Sequence, residues 1–169
     1  MTAVEALNAL KAFVEREVAG SILLRKEGLA TEEPEYVNPY VALITLPHKN
    51  FMPVNFQVPH ILIGLAGGSD AANEHTISIR MQFATFGGNI LFKESANIPD
   101  SGGYIDLLNL MERAKQKLID AAVIEGSGAV DRPFTYGIYD EQLTYPYWYG
   151  HITFDMQIPV TQRQMKEFL

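Results

Sequence analysis

The sequence predicts a single α+β domain over residues 1–169, with a mainly antiparallel, twisted sheet of four to five strands and two main helices packed on one face. Three observations predict this class. Two segments repeat apolar residues at helical spacing, and five segments have the length and composition of strands. Too few helices separate those strands for a parallel α/β sheet, since parallel neighbours need long crossover connections. An N-terminal helix over 3–18 precedes a sheet and a second helix that occupy 40–160.

The N-terminal helix is predicted from its cap and its apolar face. Thr2 and Glu5 have the Thr-x-x-Glu spacing of a capping box. Gly20 follows the helix, where a left-handed residue commonly ends the last turn. The next stretch, 25–39, is acidic and contains two prolines, and we interpret it as an exposed, mobile loop. The apolar face consists of Leu7, Leu10, Val14 and Val18.

Three strands are predicted next, over 40–46, 58–65 and 76–86. The third alternates strictly between apolar and polar residues, which is typical of a sheet with one buried face. The glycine pairs at 67–68 and 87–88 fit neither phosphate-binding motif, so we interpret both as hairpin turns.

The second half of the chain begins with a long loop at 87–103, predicted to be mobile. A helix follows over 104–123, with Asp100 or Ser101 as its cap. Two strands run through 134–138 and 148–158 and complete the sheet. The alternation predicts that the sheet buries these residues against the second helix: Ile77, Ile79, Met81, Phe83, Ile152, Phe154 and Met156.

Composition excludes several classes of function. The chain has no cysteine, which removes disulfides, zinc-thiolate sites and cysteine nucleophiles. Its formal net charge of -7, without any basic run, disfavours sequence-specific binding to nucleic acid. No apolar run reaches the roughly 18 residues of a membrane span. We expect neither a cofactor nor contact with a membrane.

The polar residues suggest no catalytic or metal centre. The four histidines, at 48, 60, 75 and 151, lack the spacing of metal ligands. His151 and Asp155 share one face of the last strand, but four residues of strand separate them by roughly 13 Å. No G-x-S-x-G motif is present. We therefore expect neither catalytic nor metal-binding residues.

Aromatic and apolar residues outside the predicted core are candidates for an interface. In the segment 145–149, Trp148 shares the parity of Ile152 and is expected in the core. Tyr147 and Tyr149 have the opposite parity and are candidate interface residues. In the loop 87–103, we expect Ile90, Leu91 and Phe92 to become buried against neighbouring subunits.

Several motifs occur in a defined order along residues 38–160. The two most specific are G-G-Y-I-D-L-L-N-L-M-E-R at 102–113 and Y-P-Y-W-Y-G-x-I-x-F at 145–154. They are preceded by V-x-L-I-T-L-P-H-K, V-P-H-I-L-I and F-x-T-F-G-G, and followed by a final I-P. This series resembles the tail-terminator-like proteins of long-tailed bacteriophages and prophages.

The resemblance implies a small α/β domain that assembles as a ring on the finished tail tube, with six copies. It implies a tail-tube protein and a head-completion protein as partners, in the virion neck after assembly in the host cytoplasm. Glu32, Glu33 and Glu35 cluster in one loop and fit an acidic lumen that repels DNA, although a solvated face explains them too. Two alternatives stay open: another neck, head-closure or tail-completion component, and a small ligand-binding or enzymatic domain with a pocket near His60 or His151.

Overall fold

The computed structural model describes residues 1–29, 33–87, 90–93, 96–99, 102–139 and 145–160, with the backbone alone for 90–93 and 96–99. The described residues form an α+β fold with two helices, one large sheet and two small hairpins. The helices are α1 (Ala3–Phe13) and α2 (Gly102–Ala121). The strands are β1 (Leu24–Arg25), β2 (Tyr36–Val37), β3 (Tyr40–Leu43), β4 (His60–Asp70), β5 (His75–Phe86), β6 (Ile90–Lys93), β7 (Ala96–Pro99), β8 (Val123–Ile124), β9 (Gly128–Ile138) and β10 (Tyr147–Ile158).

The large sheet is mixed and has six strands, in the order β3-β4-β5-β10-β9-β8. Only β3 and β4 are parallel, and every other neighbouring pair is antiparallel. The sheet therefore has one strand more than the upper limit of the four to five strands predicted. The additional strand, β8, lies where the second helix was expected to continue. That helix stops at Ala121 because Ala122 adopts a left-handed conformation, with φ of 58°, and turns the chain into β8.

One core joins both helices to the same face of the sheet. The seven strand residues predicted to be buried all lie in this core, and none exposes more than 2% of its surface. Helix α1 contributes Leu10 and Phe13, and α2 contributes Leu107, Leu110 and Leu118. The burial predicted from alternation is confirmed.

The N-terminal helix has the predicted cap. The Thr2 hydroxyl accepts from the Glu5 amide, and the Glu5 carboxylate accepts from the Thr2 amide. After Phe13 the helix widens into a π turn over Val14–Val18 and tightens into a 3₁₀ turn over Ala19–Ser21. Gly20 lies in that last turn without a left-handed conformation, so the predicted glycine cap was wrong.

Two predicted loops contain short hairpins. Within 25–39, β2 pairs with β1, and the Lys26 amide donates to the Glu35 carbonyl at 2.7 Å. Within 87–103, β6 pairs with β7. Each hairpin was missed because its strands are only two or four residues long, too short to show a period.

The first glycine pair was also misread. Gly67 and Gly68 lie inside β4, next to a register shift between Leu65 and Gly67. The turn comes later, where the Ala71 amide donates to the Glu74 carbonyl at 2.7 Å. Gly68 is needed for close approach, because a Cβ there would lie 2.8 Å from the Thr76 carbonyl oxygen.

Candidate assembly surface

The two most specific sequence motifs meet at one joint between helix and sheet. The Trp148 indole N–H donates to the Gly87 carbonyl at 2.8 Å, and the Thr85 hydroxyl donates to the Gly103 carbonyl at 2.6 Å. The Gly87 amide donates in turn to the Pro146 carbonyl at 3.1 Å. These bonds attach the start of α2 to the end of β5 and the start of β10.

Small residues make this joint possible. A Cβ at Gly103 would lie 2.4 Å from Trp148 Cδ1, and a Cβ at Gly150 would lie 2.6 Å from Met111 Sδ. Both distances are shorter than any real contact of a Cβ atom. Gly103 and Gly150, one in each motif, are thus explained by helix-on-sheet packing, and Trp148 is partly buried against the core as expected.

An exposed apolar surface lies beside this joint. Tyr104 stacks edge-on against Trp148, with ring centroids 5.6 Å apart. Farther along, α2 and β9 enclose a groove of about 320 Å³. We name this region the α2–β9 surface and define it by its exposed apolar residues, Tyr104, Ile105, Leu108 and Tyr136. Exposed aromatic and aliphatic residues that adjoin one another are typical of protein–protein contacts.

Charged groups border the α2–β9 surface. The Lys115 ammonium lies 5.2 Å from the centroid of the Tyr136 ring, within the range of a cation–π contact. The same ammonium pairs with Glu112 at 2.8 Å. An apolar centre with a charged rim is the ordinary arrangement of an interface that is not permanently covered.

Of the predicted interface residues, Tyr147 and Tyr149 lie partly buried against a second small cluster of Val58, Ala84 and Phe86. The Tyr147 hydroxyl donates to Glu27 at 2.9 Å. The same carboxylate accepts from the Gln57 amide at 2.7 Å. Burial, and to a smaller extent the hydrogen bond to the Glu27 carboxylate, raises the pKa of Tyr147 to about 12. Tyr147 therefore anchors the segment after β1 to the sheet.

The remaining predicted interface residues are not brought together with these tyrosines by any described contact. Ile90, Leu91 and Phe92 form part of β6, and their side chains lie outside the described residues. Glu32 also lies outside them. Glu33 and Glu35 are exposed, and Glu35 pairs with Lys26 at 2.7 Å. That ion pair partly cancels the acidic charge of this loop.

Two histidines lie on the sheet face opposite the helices. Burial lowers the pKa of His60, whose Nδ1 lies 2.8 Å from the Gln57 carbonyl. His151 stacks on Tyr139 with centroids 4.9 Å apart, and Arg80 hydrogen-bonds the Tyr139 hydroxyl. Burial and then Arg80 lower the pKa of His151. The Asp155 carboxylate accepts a hydrogen bond from the Ser78 hydroxyl at 2.6 Å. No described contact joins Asp155 to His151.

Within the described ranges, no group of three or more His, Asp or Glu side chains is placed to hold a metal ion. No helix in the same part of the chain is long and apolar enough to cross a membrane.

Sequence reasoning missed the α2–β9 surface because Tyr136 has the parity of the core face. It lies opposite Ile152 in the sheet, yet 65% of its surface is exposed since it extends past the edge of α2. Ile105, on the outward side of α2, was the available sequence signal. A comparison with protein-family models finds no match, and a search of curated proteins finds none either.

Proposed function

We propose that this chain is a structural assembly protein of a bacteriophage or prophage tail. In this proposal a ring of about six copies caps the tail tube, stops its growth and forms the joint to the head-completion proteins. The protein acts in the neck of the virion and assembles in the host cytoplasm. The choice of particle is supported by the motif series at 38–160, through its resemblance to tail-terminator-like proteins.

The observation that carries the proposal is the α2–β9 surface. Four apolar side chains remain exposed: Leu108 and Tyr136 line the groove, and Tyr104 and Ile105 lie one helical turn before Leu108 on α2. Isolated exposed apolar residues need no explanation, but a continuous group of them favours a protein partner.

The polar residues support a role without catalysis. Glu27 and Asp155 already accept hydrogen bonds from Tyr147 and Ser78. The His60 ring is buried, and its Nδ1 is held against a backbone carbonyl. Groups of this kind connect segments of the fold, whereas a catalytic site needs polar groups that converge on open space.

Electron microscopy of the protein mixed with tail tubes tests the proposal. The tubes are polymerised from the major tail-tube protein of the same phage or prophage, and the untagged chain is added in excess. We expect a ring at one end of each tube and no further growth from that end when fresh tube protein is supplied. Tubes that keep growing with bare ends would refute the capping role. A ring that binds the head-completion protein but never the tube would instead assign the chain to another part of the neck.

A further inference from the structure

Among the described residues, the large sheet has two edges on which part of the outer strand is unpaired. On one side, β8 pairs only with Gly128 and Ala129 of β9, so the outer side of 131–138 has no strand partner among the described residues. On the other side, β3 pairs with β4 only as far as Ile63. The rest of β4, through Asp70, is hydrogen-bonded to β5 alone within the described chain. Open edges favour pairing with another strand. Within 131–138, Pro133 has no N–H to donate and the register with β10 shifts between Asp131 and Thr135, so 134–138 is the regular part of this edge.

We propose that a second copy of this chain fills each edge, with residues 65–70 of β4 in one copy pairing with residues 131–138 of β9 in the next. The junction continues the sheet from copy to copy and inserts Leu65 into the groove of the neighbour's α2–β9 surface. This inference deepens the proposed function and rests on its claim that copies join head to tail.

Strand direction fits this junction. The order β4-β5-β10-β9 is antiparallel at each step, so β4 and β9 run in opposite directions. When a rotation places the neighbouring copy so that its sheet continues this one, the β9 strand of that copy lies antiparallel to β4. Antiparallel pairing is also the prevailing arrangement within this sheet. Two different edges also make the contact heterologous, and a heterologous contact forms a ring when its rotation closes.

The faces of the two strands also agree. Leu65 lies opposite Ile79, and Tyr136 lies opposite Ile152, and both partners are buried in the core on the helix side. In a continuous sheet, Leu65 would remain on that side. It would enter the neighbour's groove of about 320 Å³, whose lining includes Leu108, Met111 and Tyr136. This placement would cover Leu65, which exposes 47% of its surface in the single chain.

Size and charge favour the same pairing. After Leu65 the open edge reads Ala-Gly-Gly-Ser-Asp, and a Cβ at Gly67 would meet no atom within 4 Å, so a neighbouring strand can approach closely. The antiparallel arrangement brings exposed Asp70 toward the middle of β9, where exposed Arg132 carries the opposite charge. Asp131 is next to Arg132 but pairs in register with Asp155, on the sheet face away from the helices. Opposite charges across paired strands stabilise the junction.

Cross-linking tests the pairing directly, because the chain has no cysteine of its own. The double variant Leu65→Cys/Tyr136→Cys is treated with a mild oxidant, and in parallel with a short bismaleimide that tolerates a small register shift. Paired strands bring Cα atoms within disulfide range. The control is Leu65→Cys/Val4→Cys, because Val4 on α1 is 65% exposed, as Tyr136 is.

We expect a ladder of covalent oligomers ending at the full ring for the double variant. An equimolar mixture of the two single variants should give only a cross-linked dimer joining 65 to 136, identified by mass spectrometry. The control pair should stay at background. Oligomers that are detected by light scattering but contain no 65–136 link would overturn this pairing. They would leave the proposed ring unaffected. If neither oligomers nor the 65–136 link form, on tubes or in solution, the pairing of β4 with β9 is also overturned. The tube-growth assay tests the capping role separately.

Discussion

Gly103 lies against the indole of Trp148 so closely that a Cβ at position 103 would come within 2.4 Å of the ring. The same glycine accepts a hydrogen bond from Thr85 through its carbonyl. The contact therefore fixes both the position of α2 and the orientation of Trp148, and it connects the two motifs that prompted the resemblance.

We predict that Gly103→Ala destabilises the fold by about 1–3 kcal/mol, the usual cost of overpacking a well-filled site. In an unobstructed helix interior the same change would stabilise the chain by roughly 1 kcal/mol. The direction of the effect therefore distinguishes the two environments in urea unfolding. Gly64→Ala is the control, since its Cβ would lie an ordinary 3.9 Å from the nearest atom, and it should change stability little. Equal effects of the two changes would contradict this account of the joint.

Phe154 should be one of the largest single contributors to the core. It is 2% exposed and stacks on Phe134 with centroids 5.0 Å apart. Phe154→Ala leaves a cavity and should cost about 3–5 kcal/mol, measured from denaturant midpoints. Phe51→Ala, at a side chain that is 79% exposed, should stay within about 0.5 kcal/mol. A loss below about 1 kcal/mol at Phe154 would mean that the register of β10 is wrong.

Tyr147 should make the protein sensitive to alkaline pH. Its pKa is raised to about 12 in the folded chain, from an ordinary value near 10. The folded state thus holds this proton more tightly than the unfolded state does, so stability is unaffected below about pH 10 and falls as the pH rises toward 12. Tyr147→Phe should reduce this loss of stability with rising pH, as measured by urea midpoints between pH 9 and 11. Tyr36→Phe, at an exposed tyrosine, should keep the wild-type slope.

Periodic segments were predictable from the sequence, and short or tertiary features were not. The alternation in β5 and β10 identified the buried face because strands of 12 residues repeat the pattern many times. The two-residue strand β8 has no such pattern, and it forms only because Ala122 turns the chain back toward β9. The strand assignment of Gly67 and Gly68 likewise depends on the approach of β5, which no local signal reports.

The candidate surface was predictable only in part. Strand alternation correctly placed Trp148 and Tyr147 on opposite faces of the sheet. It could not show that the Tyr147 hydroxyl donates a hydrogen bond to Glu27 of the same chain. Nor could it show that Tyr136, which lies on the helix side of the sheet, extends beyond the edge of α2 and stays exposed. Both facts depend on how distant segments pack, and the exposure of Tyr136 depends on which strands α2 covers.

The α2–β9 surface should control assembly without controlling folding. Tyr136→Ser and Ile105→Ser remove apolar area from exposed positions, so each should change the unfolding free energy by less than about 0.5 kcal/mol. Combined, they should weaken self-association by at least tenfold in sedimentation experiments, since aromatic residues at the centre of an interface carry much of its binding energy. Val4→Ser, at an exposed position of α1, is the matched control and should associate as the wild type does. If the combined variant still forms rings and caps tubes at wild-type concentration, the subunit contact lies on another face of the domain.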